Sequence, residues 1–278
     1  MVYAARPANN LSEDPEGQPV RRLALIVEYE GTHYAGFQLQ ANQPTIQGAI
    51  EKALTNFTGE QIRIRGASRT DSGTHAKGQM VDFLTDSAHS VGTFLKALNY
   101  YLPTDIKVQS TYEVASDFHS RRAATRRTYR YSILNQAAPS PLRRLTHHLV
   151  TGELDTKKMA LAAQFLVGVH DFRPLAVGHP QDKSAVRQVF RWDVCREQDS
   201  VVIECEANGF LRHQIRQANS ILVEVAKGKW PETIVRDTLE GKLPHGLMWS
   251  SLPARGLCLM KVTYPNFWNQ VKASYEAD

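Results

Sequence analysis

Several classes of protein are excluded by what this chain does not contain. No apolar run approaches the ~20 residues needed to span a bilayer. The 42% hydrophobic content is scattered in short stretches, and the N-terminus has no signal-peptide pattern. A soluble, cytoplasmic protein is expected. Cysteine is scarce: Cys195, Cys205 and Cys258 are an odd number without a Cys-x-x-Cys pair. Buried reduced thiols are therefore expected rather than a disulfide framework.

Motifs for cofactor chemistry are missing as well. Gly73 and Gly78 have P-loop spacing, but Gln79 and Met80 stand where that loop needs its Lys and its Ser or Thr. There is no Gly-x-Gly-x-x-Gly, no Gly-x-Ser-x-Gly and no His-Glu-x-x-His, and the histidines lack metal-ligand spacing. Neither a metal nor a cofactor is expected. Chemistry then falls to side chains, with a carboxylate as the leading candidate.

A chain of 278 residues can form one large domain or two ordinary ones. Residues 1–20 are polar and Pro-containing and read as a disordered leader. From Arg22 the apolar alternation of Leu23, Leu25, Val27 and Tyr29 predicts a strand. A helix follows from Thr45, with Ile46, Ala49, Ile50, Ala53, Leu54 and Phe57 at helical spacing and Gly59 past its end. Strands are expected over 61–68 and 78–85, a helix over 91–101 and a strand over 105–114. The second half repeats the order: strand 128–134, helix 155–167, strands 186–196 and 200–208, helices 211–227 and 231–240, strand 257–264. Each half thus reads β-α-β-β-α-β, the ferredoxin-like unit. The expected fold is α+β, with two such halves (21–115 and 116–267) whose mainly antiparallel sheets join into one, a tail at 268–278, and an active-site cleft at the junction.

Two stretches carry candidate chemistry. Gly66 to Gln79 joins two expected strands and centres on Asp71, with Arg69, Thr70, Ser72, Gly73, His75 and Lys77 around it. Asp-Ser-Gly is turn chemistry, so a charged hairpin tip is one reading and a catalytic loop the other. Phe118 to Tyr131 interleaves Arg121, Arg122, Arg126, Arg127 and Arg130 with Phe118, Tyr129 and Tyr131. Guanidinium groups match phosphate geometry and rings offer stacking faces. RNA binding is expected there, against a solvated linker whose arginines pair with surface acids. A formal charge of +5 agrees with a polyanionic partner.

Arg69-Thr70-Asp71-Ser72-Gly73-Thr74-His75-Ala76 closely resembles the active-site signature of the tRNA pseudouridine synthase A family. The resemblance extends to Tyr29-Glu30-Gly31 and Tyr34-Ala35-Gly36-Phe37-Gln38, Thr45-Ile46-Gln47, Phe118-His119-Ser120-Arg121, Arg127-Thr128-Tyr129-Arg130-Tyr131 and Val169-His170-Asp171-Phe172. It also takes in the run Asn208 to Arg216 and Gly256-Leu257-Cys258-Leu259, covering roughly residues 22–266.

The resemblance implies an isomerase that converts uridine to pseudouridine in the tRNA anticodon stem-loop (tRNA positions 38 to 40), without metal or cofactor, as a homodimer. It implies Asp71 as the catalytic residue, Arg216 as its counter-ion, and Tyr129 against the target uracil with a part in removing the C5 proton. Leu257 is implied as an apolar pocket residue, and Arg69 as the side chain that enters the space of the flipped nucleotide or binds its phosphate. Arg121, Arg126, Arg127 and Arg130 are expected on RNA. The chain departs from the family pattern at Phe37 (usually Trp), Leu39 (often Arg) and Thr74 (usually Val). A synthase acting on another RNA, or a non-catalytic tandem RNA-binding protein, stays open beside this expectation. The second lacks its own signature, since no Lys/Arg-Gly-Phe/Tyr-Gly/Ala-Phe run is present.

Overall fold

The computed structural model of the protein describes residues 20–243 and 249–276. The leader expected over 1–20 lies, but for Val20, outside the described residues.

Alternating apolar residues in Arg21–Tyr29 form strand β1, buried at nearly every position. Helix α1 (Ile46–Thr58) begins where the Thr45 hydroxyl accepts from Gly48 N–H and ends where Gly59 turns left-handed. Strand β2 is only Arg65–Gly66, not the 61–68 expected, because Ile62 and Ile64 bury against the core without a ladder partner. Strand β3 (His75–Thr85), helix α2 (Val91–Tyr101) and strand β4 (Ile106–Val114) complete this region. Then come β5 (Arg126–Leu134), β6 (His148–Leu149), α3 (Thr156–Ala163), β7 (Gly168–Asp171), β8 (Val186–Glu197) and β9 (Ser200–Ala207). Helices α4 (Gln214–Ala226) and α5 (Ile234–Leu239) precede β10 (Leu257–Thr263) and β11 (Val271–Glu276).

All strands join one sheet in the order β11-β4-β1-β3-β10-β5-β9-β8-β7, with β2 on β3 and β6 on β5. The pairing is antiparallel except for β3 with β10 and β5 with β6. Two expectations are corrected here. Within 268–278, expected as a tail, Val271–Glu276 form β11, which pairs with β4. Cys195, expected buried, is exposed on β8, whose residues 193–197 lie toward the Gln198–Asp199 turn at the sheet end; Cys205 is buried and Cys258 partly so.

One feature of this topology locates the cleft. β3 and β10 run parallel, with His75 opposite Cys258 and Ala76 opposite Leu259. Parallel strands start at the same end, so the loop entering β3, which holds Asp71, and the residues entering β10, led by Leu257, come together. On the other side of β10, Leu257 faces Tyr131 and Leu259 faces Tyr129 on β5.

Candidate active site

The loop from Ala67 to Thr74 is held from below by one buried amide. Gln79, fully buried on β3, accepts from Ser68 N–H (3.1 Å) and donates to Ser68 O (2.7 Å) and to the Tyr29 hydroxyl (3.3 Å). Tyr29 in turn shares a 2.7 Å hydrogen bond with Thr70 Oγ1. The segment after β1 fastens the other side: Phe37 N–H donates to Thr70 O (3.1 Å) and Ser72 Oγ to Tyr34 O (3.1 Å). This requires glycine at 36, where φ is +104° and a Cβ would lie 2.9 Å from Thr70 O. Thr74 N–H closes a turn onto Asp71 O at 3.1 Å. The Asp71 backbone is thus fixed while its side chain faces the cleft, 22% exposed.

His75 ties the loop to two distant segments. Its Nδ1 accepts from Gly31 N–H at 3.1 Å, so the proton is on Nε2, which donates to Leu145 O (2.8 Å) and Arg255 O (3.0 Å).

Arg216 is in the first turn of α4, which begins three residues later than the sequence suggests. Its Nη1 is 3.4 Å from Asp71 Oδ2, its Nε donates to Leu252 O at 2.6 Å, and its side chain is 13% exposed. His213, left-handed at φ 65°, precedes the helix and puts Nε2 3.7 Å from the same carboxylate oxygen. Tyr129 is buried, with its hydroxyl 2.7 Å from Ser68 Oγ and its ring perpendicular to Phe210. Burial, with a smaller contribution from the Asp71 charge, pushes this phenol well above its ordinary range, so it is protonated at neutral pH.

Asp71, Arg216, Tyr129, Leu257 and Arg69 line one cavity of about 1390 Å³, together with His213, Phe210, Arg187 and Arg212. A smaller cavity of about 610 Å³ shares Arg69, Arg121 and Phe37 with it and adds Arg65, Arg122 and His119. The other expected RNA-facing arginines are differently engaged. Arg126 pairs with Glu206 (2.7 Å) and Arg130 with Glu204 (2.8 Å), across β5 and β9. Arg127 is buried and donates to the carbonyls of Ala67, Arg121, Ala124 and Asn208, which locks the loop and the arginine-rich segment together. Of the departures, Phe37 is buried beneath Gly66, Leu39 lines the large cavity, and Thr74 buries a hydroxyl that has no hydrogen-bond partner among the described residues. His213, Ser68, Phe210, Arg187 and Arg212 were not singled out as site residues from sequence; only the three that sit in the matching run 208–216 carried any signal.

A carboxylate–guanidinium pair at the base of a cation-rimmed, aromatic-walled cleft is the arrangement an enzyme acting on a polyanionic substrate would need. Its family follows from comparison: the model of the family described as tRNA pseudouridine synthase matches residues 25–121 and 162–265, and the chain belongs to that family. It is 40% identical over 254 residues to a tRNA pseudouridine synthase A of Roseiflexus castenholzii, covering 90% of this chain and 93% of the relative. It is 37% identical over 246 residues to that of Geobacter sp. (strain M21) and 38% identical over 245 residues to that of Acetivibrio thermocellus, in both cases covering 88% of this chain and 100% of the relative. Among the described residues no helix is long and apolar enough to cross a membrane, and no three His, Cys, Asp or Glu side chains cluster as a metal site would require.

Proposed function

We propose that the protein isomerises uridine to pseudouridine in the anticodon stem-loop of tRNA, with Asp71 as the catalytic group. Membership of the tRNA pseudouridine synthase family supplies the reaction. The observation that carries the assignment of residues is the Asp71–Arg216 pair inside the large cavity.

The reaction breaks the N1–C1′ bond, turns the uracil and forms a C5–C1′ bond; the C5 proton leaves and N1 gains one, so no atom or electron is exchanged overall. Asp71 acts on the flipped nucleotide while Arg216, held by Leu252, keeps its carboxylate oriented. Tyr129 and Phe210 give the extruded base an apolar wall, and Leu257 keeps the wall dry. Tyr129 is protonated and shares its hydroxyl hydrogen bond with Ser68 Oγ, so its part at the C5 step is to hold the base in place rather than to keep the proton. Extruding a base costs a few kcal/mol, offset by phosphate contacts that we assign to Arg69, Arg121, Arg122, Arg187 and Arg212.

We read the sheet as two ferredoxin-like halves, 21–115 and 116–267, supported by the matching strand orders β4-β1-β3-β2 and β10-β5-β9-β8. A homodimer in the cytoplasm, with one tRNA across both subunits, completes the reading on the strength of the resemblance. The test is tritium release from unmodified tRNA carrying 5-tritiated uridine. Wild-type protein releases it and Asp71→Ala does not, although Asp71→Ala still binds tRNA. Release from rRNA or small nuclear RNA but not tRNA, or unchanged release by Asp71→Ala, contradicts the reading.

A further inference from the structure

Of the four described non-glycine residues with positive φ, Asn42, Gln198, His213 and Asn266, only His213 lines the large cavity. That backbone state is costly for a residue with a Cβ and persists only where its surroundings enforce it. Here it turns the imidazole from the helix start back over the carboxylate–guanidinium pair. Nδ1 lies 2.8 Å from Ser251 Oγ, Nε2 lies 3.4 Å from Arg216 Nη1, and Nε2 lies 3.7 Å from Asp71 Oδ2. The neighbouring Leu252 carbonyl takes Arg216 Nε at 2.6 Å, so consecutive residues 251 and 252 anchor both basic side chains.

These contacts determine the tautomer. A guanidinium only donates, so its approach to Nε2 requires the lone pair there, leaving the proton on Nδ1 to be donated to Ser251. Arg216 Nη1 is then shared between two acceptors, Asp71 Oδ2 and His213 Nε2, while Nε is held by Leu252.

We propose that His213, as the neutral imidazole, is a positioning residue that aims the Arg216 guanidinium at Asp71, and that its protonation switches the pair off. The inference rests on the isomerase reading. An imidazolium has no acceptor at Nε2; it repels Arg216 and competes with it as a donor to Asp71. The charged groups facing it are Asp71 from the β3 loop, Arg216 from α4 and Arg212 from the preceding loop. Burial is the main influence disfavouring the charged imidazole, with Arg216 and Arg212 reinforcing it and Asp71 opposing. The neutral form is therefore the resting form at neutral pH.

Two variants separate this role from a structural one. His213→Gly removes the ring and suits φ 65°; His213→Gln places an amide oxygen near Nε2 that accepts but does not titrate. Measured by tritium release from tRNA between pH 5 and 8.5, His213→Gly is expected to lose about 10²-fold in kcat, the scale of misplacing a catalytic group by an ångström, with KM within threefold. His213→Gln is expected to recover most of that loss and to lack the wild-type decline below the ordinary imidazole range of about 6.5. A His213→Gly kcat within twofold of wild type overturns the proposal. So does a His213→Gln variant that recovers nothing or keeps the wild-type acid limb, and this second comparison decides the matter if His213→Gly fails to fold. Wild-type protein inactive on tRNA would instead remove the isomerase reading itself.

Discussion

Arg216 approaches Asp71 with one nitrogen only: Nη1 is 3.4 Å from Oδ2, while Nε is committed to the Leu252 carbonyl at 2.6 Å. A lysine ammonium has three donors, but all on one nitrogen at the end of a flexible stem, and so does not reproduce the planar fork that reaches Leu252 O and Asp71 through two nitrogens. Arg216→Lys is therefore expected to lower kcat by about 10²-fold with little change in KM, and Arg216→Ala by more. Single-turnover isomerisation of tRNA checks this, because it reads chemistry apart from product release. Equal kcat in Arg216→Lys and wild type would mean that the Leu252 bond does nothing to aim the guanidinium.

The arginines of the Phe118–Tyr131 stretch, taken together with Arg69, divide by partner. Arg69, Arg121 and Arg122 line the cavities without an acidic partner among the described residues, whereas Arg126 and Arg130 are paired with Glu206 and Glu204. Neutralising any of the first three to Gln is expected to weaken tRNA binding about five- to tenfold and to reduce the slope of log K against log salt by about 1. Arg126→Gln and Arg130→Gln are expected to stay within about twofold, since exposed pairs contribute roughly 0–1 kcal/mol. Filter binding across a salt series distinguishes the two groups.

Some of this architecture was legible in the sequence, for identifiable reasons. β1, α1 and α2 announce themselves by period and caps, with Thr45 and Gly59 bounding α1, and Asp-Ser-Gly marks a turn without any tertiary information. β2 shrank to Arg65–Gly66 because alternation in 61–68 reports burial rather than pairing. β11 escapes the sequence reading because its alternation, Val271, Ala273 and Tyr275, is short and its residues are mostly exposed. The Asp71–Arg216 distance spans 145 positions of chain and depends on how β3 and β10 meet. Nothing local encodes that; only the family resemblance suggested it. The capture of Arg126 and Arg130 likewise depends on the register of β5 with β9, and His213 reaches the site through a left-handed backbone that its residue type does not announce.

Stability is expected to decline as pH falls from neutral through 6.5. His119, His147, His148 and His213 all have their imidazole pKa lowered in the folded protein, chiefly by burial. Nearby cations reinforce this, Arg65 for His119, Arg143 for His147 and Arg255 for His148. Below the ordinary value of about 6.5 the unfolded chain takes up protons that the folded protein refuses. Their contribution is complete above that value and is lost as pH falls toward the folded values. Melting temperatures at pH 7.5 and 5.5 should show the loss. His148→Leu should make it smaller, because His148 buries an Nδ1 with no partner among the described residues, beside Arg255 and Lys227.

Thr74 is one of the departures from the resembled pattern, and its buried hydroxyl has no partner among the described residues. Thr74→Val keeps the β-branch and removes the stranded group, so it is expected to stabilise the protein by about 1 kcal/mol. For a chain of this size that is a rise of roughly 2–4 °C in melting temperature. A fall instead would mean that the hydroxyl is satisfied by a bound water.

Asp82 is the second carboxylate on which the site depends, and its role is the reverse of that assigned to Asp71. It is fully buried on β3, pairs with Arg22 at 2.7 Å and with Arg65, and accepts Ser120 N–H at 2.9 Å. It therefore fastens the segment leading to Arg121 onto the sheet without lining either cavity. Asp82→Asn leaves two guanidinium groups short of their counter-charge, a change worth about 3–5 kcal/mol in buried pairs. The melting temperature should fall by on the order of 10 °C. In the folded fraction at low temperature, kcat should remain within about threefold of wild type, because nothing that lines the cleft around Asp71 has been removed. Asp71→Asn should show the opposite pattern, with isomerisation lost and the melting temperature nearly unchanged. Thermal melts paired with single-turnover assays on the two variants test both halves at once, and a shared loss of activity in well-folded Asp82→Asn would place Asp82 in the chemistry rather than in its scaffold.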